Sequence, residues 1–132
     1  MLKKINTEKA PKAIGPYSQA ITSNGLLFLS GQIPLVPESG EMLGGNITEQ
    51  TEQVIRNISE VLKAGGSGFE YVVKTTCFLQ NMSDFAEFNK VYEKYFTGKP
   101  ARSCIGVSAL PKGALVEIEV VAEIEDAKRE PS

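Results

Sequence analysis

Two segments with helical periodicity interrupt a chain of short β-type segments, and this order constrains the fold more than any other feature. The first helix is predicted to begin at Asn46, which forms a capping-box pattern with Glu49, and to end at Gly65. The second is predicted to be capped by Asp84 and to end before Gly98. Apolar residues at helical spacing define the buried faces of both helices: Val54, Ile55, Ile58, Val61, Leu62, Phe85, Phe88, Tyr92, Tyr95 and Phe96.

The other apolar segments have the composition of strands. Asn24-Gly25, a strong hairpin signal, separates strands predicted over 19–23 and 26–33. Later strands are predicted over 71–79, 102–110 and 115–124. With one further strand counted before the first helix, this order in a chain of 132 residues predicts one α+β domain over 1–124, with a six-stranded mixed sheet and both helices on one face. A charged, flexible tail is predicted over 125–132.

The last predicted strand has an apolar side and a side that carries carboxylates. Glu117, Glu119 and Glu123 project to one side, with neighbours about 7 Å apart, and the alternate positions are apolar. Arg102 and Cys104 share one side of the preceding strand. If these two strands pair as a hairpin, both residues face the glutamates, and an arginine fork beside a carboxylate base suits a small carboxylic acid. A purely structural Arg–Glu pair and a buried, apolar Cys104 are the alternatives.

Three further positions are candidates for a pocket. Tyr17 lies in a Gly-Pro loop, where its phenol lines a pocket or packs under the turn. Asn89, within the second helix, binds a ligand or a neighbouring loop. Ser30-Gly31, near the end of a strand, lets a ligand approach the backbone or forms an ordinary bulge.

The composition excludes several kinds of chemistry. The sequence has no histidine, which removes the commonest general base and metal ligand near neutral pH, so serine–histidine and cysteine–histidine nucleophiles are excluded and no metal site is predicted. A net charge of −2 without a basic stripe argues against nucleic-acid binding. Two cysteines, no signal peptide and no membrane-length apolar segment predict a cytoplasmic protein with reduced thiols.

A series of motifs in a fixed order covers nearly the whole chain: Ile14-Gly15-Pro16-Tyr17-Ser18-Gln19, Ser30-Gly31-Gln32-Ile33-Pro34, Pro100-Ala101-Arg102-Ser103-Cys104, Leu110-Pro111-Lys112 and Val116-Glu117-Ile118-Glu119. With these motifs in this order, the sequence resembles the reactive intermediate deaminase family (RidA, also called YjgF). The resemblance implies a chorismate-mutase-like fold, a homotrimer with ligand sites between subunits, and no cofactor. It also implies hydrolysis of 2-iminobutanoate, 2-iminopropanoate and 2-aminoacrylate to 2-oxo acids and ammonia.

The same resemblance implies a role for each candidate residue. Arg102 matches the arginine that holds the substrate carboxylate, and Glu117 matches the glutamate that positions or activates water. The positions that match pocket-lining residues are Tyr17, Ser30, Gly31, Asn89 and Cys104. The chain departs from the family pattern at 105–109, where Ile-Gly-Val-Ser-Ala replaces Val-Glu-Val-Ala-Arg, so contacts at the pocket rim or interface are expected to differ. A non-catalytic module that binds small carboxylates or regulates a partner, and an RNA-cleaving inhibitor of translation, are the alternatives.

Overall fold

Six strands and two α-helices follow one another in the computed structural model, which describes residues 2–125. They are β1 (Lys3–Ile5), β2 (Ala20–Ser23), β3 (Leu26–Gln32), α1 (Ile47–Ala64), β4 (Val72–Leu79), α2 (Phe85–Tyr95), β5 (Ala101–Gly106) and β6 (Val116–Glu123). The predicted six-stranded sheet with two helices is therefore confirmed. The flexible tail predicted over 125–132 lies outside the described residues, except for Glu125, whose amide donates to the Gly66 carbonyl at 2.8 Å.

The helix ends agree with the sequence at one helix and differ at the other. At the start of α1, Asn46 Oδ1 accepts from the amide of Glu49 at 2.9 Å, and Glu49 Oε1 accepts from the amide of Asn46 at 3.0 Å, which confirms the capping box. The predicted cap at Asp84 is wrong. Its backbone is already helical (φ −86, ψ −1) because a 3₁₀ turn over Met82–Asp84 leads directly into α2, and its side chain makes no capping bond.

The sheet has the strand order β1-β2-β3-β6-β4-β5. The Asn24-Gly25 turn joins β2 to β3 with positive φ at both residues (51 and 79), as a tight hairpin between antiparallel strands requires. β4 and β5 pair in parallel, with α2 as the crossover between them, and β6 pairs antiparallel with both β3 and β4. The assumed hairpin of the last two strands is therefore wrong, because β4 lies between β5 and β6.

The two faces of the sheet differ in what covers them. One face carries the buried side chains of Cys77, Ile118 and Val120, and it packs on α1 and α2 in a single apolar core. The opposite face carries the glutamates of β6, and Phe28 and Ile105 are exposed there by 43% and 46%. Exposed large apolar residues on an uncovered sheet face are typical of a surface that another chain buries.

Candidate functional site

Arg102 and Glu117 lie on opposite faces of the sheet. Residues paired across neighbouring strands share a face, and Arg102 pairs with Thr75 of β4, whose side chain is fully buried under the helices. Glu117 instead pairs with Phe78, which points to the uncovered face. The expectation that Arg102 and Cys104 face the glutamates is therefore wrong, and so is the alternative of a structural Arg–Glu pair between these strands of one chain.

Arg102 is held against α2 by three side chains. Its Nη1 donates to Asn89 Oδ1 at 2.6 Å, and its Cζ lies 4.7 Å from the ring centroid of Tyr92 and 5.6 Å from that of Phe85. Phe85, Asn89 and Tyr92 follow one another at spacings of four and three residues, so they lie on the same face of the helix. A guanidinium has five N–H donors, and this arrangement leaves it donors for a carboxylate. A pocket of about 240 Å³ adjoins it.

Cys104 lies two residues beyond Arg102 on the same face of β5, where it is half-buried against the core. Burial raises the pKa of its thiol, and the nearby Arg102 guanidinium opposes this as the smaller effect. Its neighbour in the parallel ladder, Cys77, is fully buried, and desolvation raises the pKa of that thiol to about 12. Both sulfurs are therefore protonated near neutral pH, which does not suit a thiolate nucleophile.

On the other face, a bulge in β3 makes room for the carboxylate of Glu117. The ladder between β3 and β6 shifts register between Leu29 and Gln32, so that Ser30 and Gly31 form the bulge. Ser30 is fixed there because its hydroxyl donates to the Ser18 carbonyl at 2.6 Å. A Cβ on Gly31 would overlap Glu117 Oε2 and lie 2.9 Å from Glu117 Cδ. The bulge thus serves as more than an ordinary irregularity, because its glycine makes the space that the carboxylate occupies.

Glu117 lines a cleft of about 770 Å³ together with the other three candidates of this face, namely Tyr17, Ser30 and Gly31. Tyr17 is 54% exposed, so it borders the cleft and is not packed beneath its turn. Burial raises the pKa of the Glu117 carboxyl, and the charge of neighbouring Glu119 raises it further. A carboxylate with a raised pKa is the stronger base, which suits removal of a proton from water.

In chains that also carry Arg102→Ala, so that no guanidinium of a second copy lies near the carboxylate, Glu117→Gln is expected to raise the melting temperature at pH 7 and to leave it nearly unchanged near pH 4. Below the ordinary glutamate pKa of about 4.3, the side chain is neutral in both the folded and unfolded states. As the pH rises through the raised pKa, the folded state alone disfavours the charge, so the native carboxylate lowers stability at neutral pH. Thermal melting at both pH values measures the difference, and a less stable variant at pH 7 would contradict the raised pKa.

The seven candidate residues therefore form two groups. Tyr17, Ser30, Gly31 and Glu117 surround the cleft on the uncovered face, whereas Asn89, Arg102 and Cys104 lie at β5 and α2. Sequence reasoning assigned Phe85 and Tyr92 only to the core and missed their contact with Arg102. The sequence signal for this contact was Asn89, because a polar residue within the apolar stripe of the helix indicates a polar partner nearby.

No group of three or more His, Cys, Asp or Glu side chains within residues 2–125 is arranged to hold a metal ion. Neither helix in that range has the length and apolar character needed to span a bilayer.

Comparison with known proteins places the sequence and the fold among known relatives. The family model described as Endoribonuclease L-PSP matches residues 7–124. A Lactococcus lactis protein described as a candidate regulator, AldR, is 56% identical over 93% of this chain and 98% of its own. Reactive Intermediate Deaminase A of Arabidopsis thaliana is 50% identical over 91% of this chain and 65% of its own length. The mouse 2-iminobutanoate/2-iminopropanoate deaminase is 48% identical over 91% and 90%.

A solved structure has the same fold. The crystal structure of Escherichia coli TdcF with bound serine superposes with a TM-score of 0.87 at 37% sequence identity, covering 92% of this chain and 98% of TdcF.

Proposed function

This chain belongs to the Endoribonuclease L-PSP family, in which its relatives include reactive intermediate deaminases, and from that premise we propose that it hydrolyses 2-imino acids and their enamine tautomers to 2-oxo acids and ammonia. 2-Iminobutanoate, 2-iminopropanoate and 2-aminoacrylate are the proposed substrates. The observation that carries the proposal is that the chain holds both groups this reaction needs, an anchored arginine and a carboxylate of raised pKa.

Because these two groups lie on opposite faces of one chain, we place the complete site between two copies. Arg102, Asn89 and Cys104 of one copy then meet Tyr17, Ser30, Gly31 and Glu117 of the next. The exposed apolar residues of the uncovered face, including Phe28 and Ile105, support burial of that face by a second copy. A ring of three copies repeats this contact three times and closes, which is the homotrimer that the family resemblance implies.

The proposed mechanism needs only these side chains and water. Arg102 binds the substrate carboxylate through its free N–H donors, which orients C2 of the imine toward the cleft. Glu117 accepts a proton from water as the oxygen attacks C2 and the C=N π electrons move to nitrogen. Glu117 passes this proton to nitrogen, which gives the neutral carbinolamine. The hydroxyl proton then moves to nitrogen through the Glu117 carboxylate, the C2–N bond breaks as the carbonyl forms, and ammonia leaves. An enamine substrate first takes a proton at C3 and enters as the imine.

The reaction is neither an oxidation nor a reduction, so the proposed chemistry uses no redox cofactor. The cleft around Glu117 is lined by Tyr17 and Ser30, whose hydroxyls are suited to holding the attacking water. Water attacks imines without a catalyst. The protein therefore lowers the barrier mainly by orienting the substrate and the water, with the guanidinium of Arg102 holding the substrate.

Coupling the protein to a threonine dehydratase tests the proposal. The dehydratase releases 2-aminobut-2-enoate, which becomes 2-iminobutanoate, and formation of 2-oxobutanoate is followed with time. We expect the protein to accelerate that step while leaving the consumption of threonine unchanged. A 2-oxobutanoate rate that does not respond to added protein would contradict the proposal.

A binding or regulatory role is the second candidate, because the relative AldR is described as a candidate regulator. A site built from Arg102 and Asn89 would then hold a small 2-oxo acid without turnover. Calorimetric binding of 2-oxobutanoate with no effect in the coupled assay favours that role. RNA cleavage is disfavoured by the lack of histidine and by a net charge of −2.

A further inference from the structure

The guanidinium of Arg102 lies against an aromatic ring that the proposed mechanism does not use. Tyr92 is 6% exposed, and its ring centroid is 4.7 Å from Arg102 Cζ. This is closer than the 5.6 Å to Phe85, and both distances lie within the range over which a cation is attracted to an aromatic face. The contact restrains the guanidinium beside its hydrogen bond to Asn89.

Tyr92 is itself held on several sides. Its hydroxyl and Thr75 Oγ1 share a buried hydrogen bond of 2.8 Å, which ties the ring to the centre of β4. The ring stacks on Phe96 with centroids 4.3 Å apart and 20° between planes, and it meets Phe88 at 5.7 Å. A side chain with so many contacts has one available orientation, so it can act as a fixed support for a mobile arginine.

Two contacts together determine how the guanidinium is oriented. The bond from Nη1 to Asn89 Oδ1, 2.6 Å long, fixes one nitrogen but leaves rotation about that bond. A ring on one side removes this rotation, because a planar guanidinium gains most when it lies over an aromatic face. We propose that Tyr92 is the positioning residue for Arg102, and that its ring sets the plane in which the arginine fork meets a substrate carboxylate. This inference rests on the proposed role of Arg102.

The first test measures carboxylate binding with 2-oxobutanoate as the probe. Tyr92→Leu is expected to weaken its calorimetric binding about tenfold, because the cation–aromatic contact is lost. Tyr92→Phe keeps the ring and is expected to stay within about threefold of the parent. Leu27→Val is the control, since it loosens the same core at a fully buried residue of β3, which β6 and β4 separate from the strand of Arg102.

The second test reads the arginine directly and does not depend on turnover. The sequence contains only three arginines, Arg56, Arg102 and Arg129, so the Nε–H region of a ¹⁵N spectrum is simple, and Arg102→Lys identifies the Arg102 signal by its loss. We expect Tyr92→Leu to shift that signal and Tyr92→Phe to leave it near its parental position. Leu27→Val is expected to lower the melting temperature without moving the Arg102 signal.

The outcomes separate this inference from the proposed function. Unchanged 2-oxobutanoate affinity together with an unmoved Arg102 signal in Tyr92→Leu would overturn the positioning role. An equal shift and an equal loss of affinity in Leu27→Val would also overturn it, since the effect would then be general to the core. If the coupled assay shows no turnover while the Tyr92→Leu signal shifts and its affinity falls, the deaminase proposal fails and the positioning of Arg102 stands.

Discussion

Arg102→Ala is expected to reduce the catalysed formation of 2-oxobutanoate about 100-fold or to the uncatalysed rate. A charge-assisted hydrogen bond contributes about 1.5–3 kcal/mol, so loss of a two-point contact with the substrate carboxylate removes about 3 kcal/mol or more. The loss is expected in kcat/KM, because the carboxylate is held both before and during attack by water. The coupled dehydratase assay measures it as the protein-dependent part of the rate.

Arg102→Lys separates the charge from the geometry of the fork. Lysine keeps a positive charge but has no planar pair of donors and no extended face for the Tyr92 ring. We expect an intermediate activity, about tenfold below the parent. Full activity of Arg102→Ala would show that another group holds the carboxylate and would contradict the site described above.

Mixing two inactive variants is expected to restore activity. Arg102→Ala retains the cleft that contains Glu117, and Glu117→Gln retains the anchored arginine. Because the two groups come from different copies in the proposed site, an Arg102→Ala chain beside a Glu117→Gln chain creates one intact site at their contact. We expect co-expression of the two, with separate affinity tags to recover mixed trimers, to give clear activity where each variant alone gives little.

The amount of restored activity is set by geometry. Every trimer recovered through both tags contains both chains and has one intact site of three, so about one third of the parental sites return. Without that recovery, about three quarters of the trimers in a random equal mixture contain both chains, and about one quarter of the parental sites return. Mixing Arg102→Ala with the double variant that carries both substitutions is the control, since no arrangement of those chains restores a site. Activity no higher than in that control would place Arg102 and Glu117 in separate functions.

Local chemistry explains the parts of the fold that sequence alone predicted. The capping box at Asn46 involves two residues three apart, and the Asn24-Gly25 turn needs positive φ at both residues, so neither depends on distant packing. Asp84 shows the limit of such rules. Asp84 precedes the second helix, as a cap would. However, a 3₁₀ turn runs directly into that helix, so Asp84 lacks the extended backbone that a side-chain cap needs.

Strand order was harder to predict because it depends on contacts between distant segments. Pro111-Lys112-Gly113, between strands predicted over 102–110 and 115–124, suggested a direct turn between the last two strands. The available counter-signal was the helix between β4 and β5, since a strand, a helix and a second strand form a parallel crossover unit. That unit places β4 between β5 and β6. It also places Arg102 on the side of the sheet that faces α2, where Arg102 donates a hydrogen bond to Asn89 and contacts the ring of Tyr92.

The seven candidate side chains were identifiable by residue type and motif, but their division between two faces was not. Alternation along a strand predicts which residues of that strand lie on the same side. Whether residues of two different strands lie on the same face of the sheet depends on how the strands pair. Glu117 and Arg102 were each correctly placed with their own strand neighbours. Only the register with Thr75 and Phe78 assigns them to different faces.

The bulge at Gly31 has a consequence for how related sequences can vary. A side chain at position 31 and the present carboxylate at position 117 require the same space, so the two cannot coexist without displacement. Substitution at either position therefore changes the residues tolerated at the other, and the two should vary together in descendants of this chain. Because the overlapping atoms are the far end of a flexible side chain, a relative with alanine at the position of Gly31 must hold its acid in a different orientation, away from the place that the proposed mechanism requires.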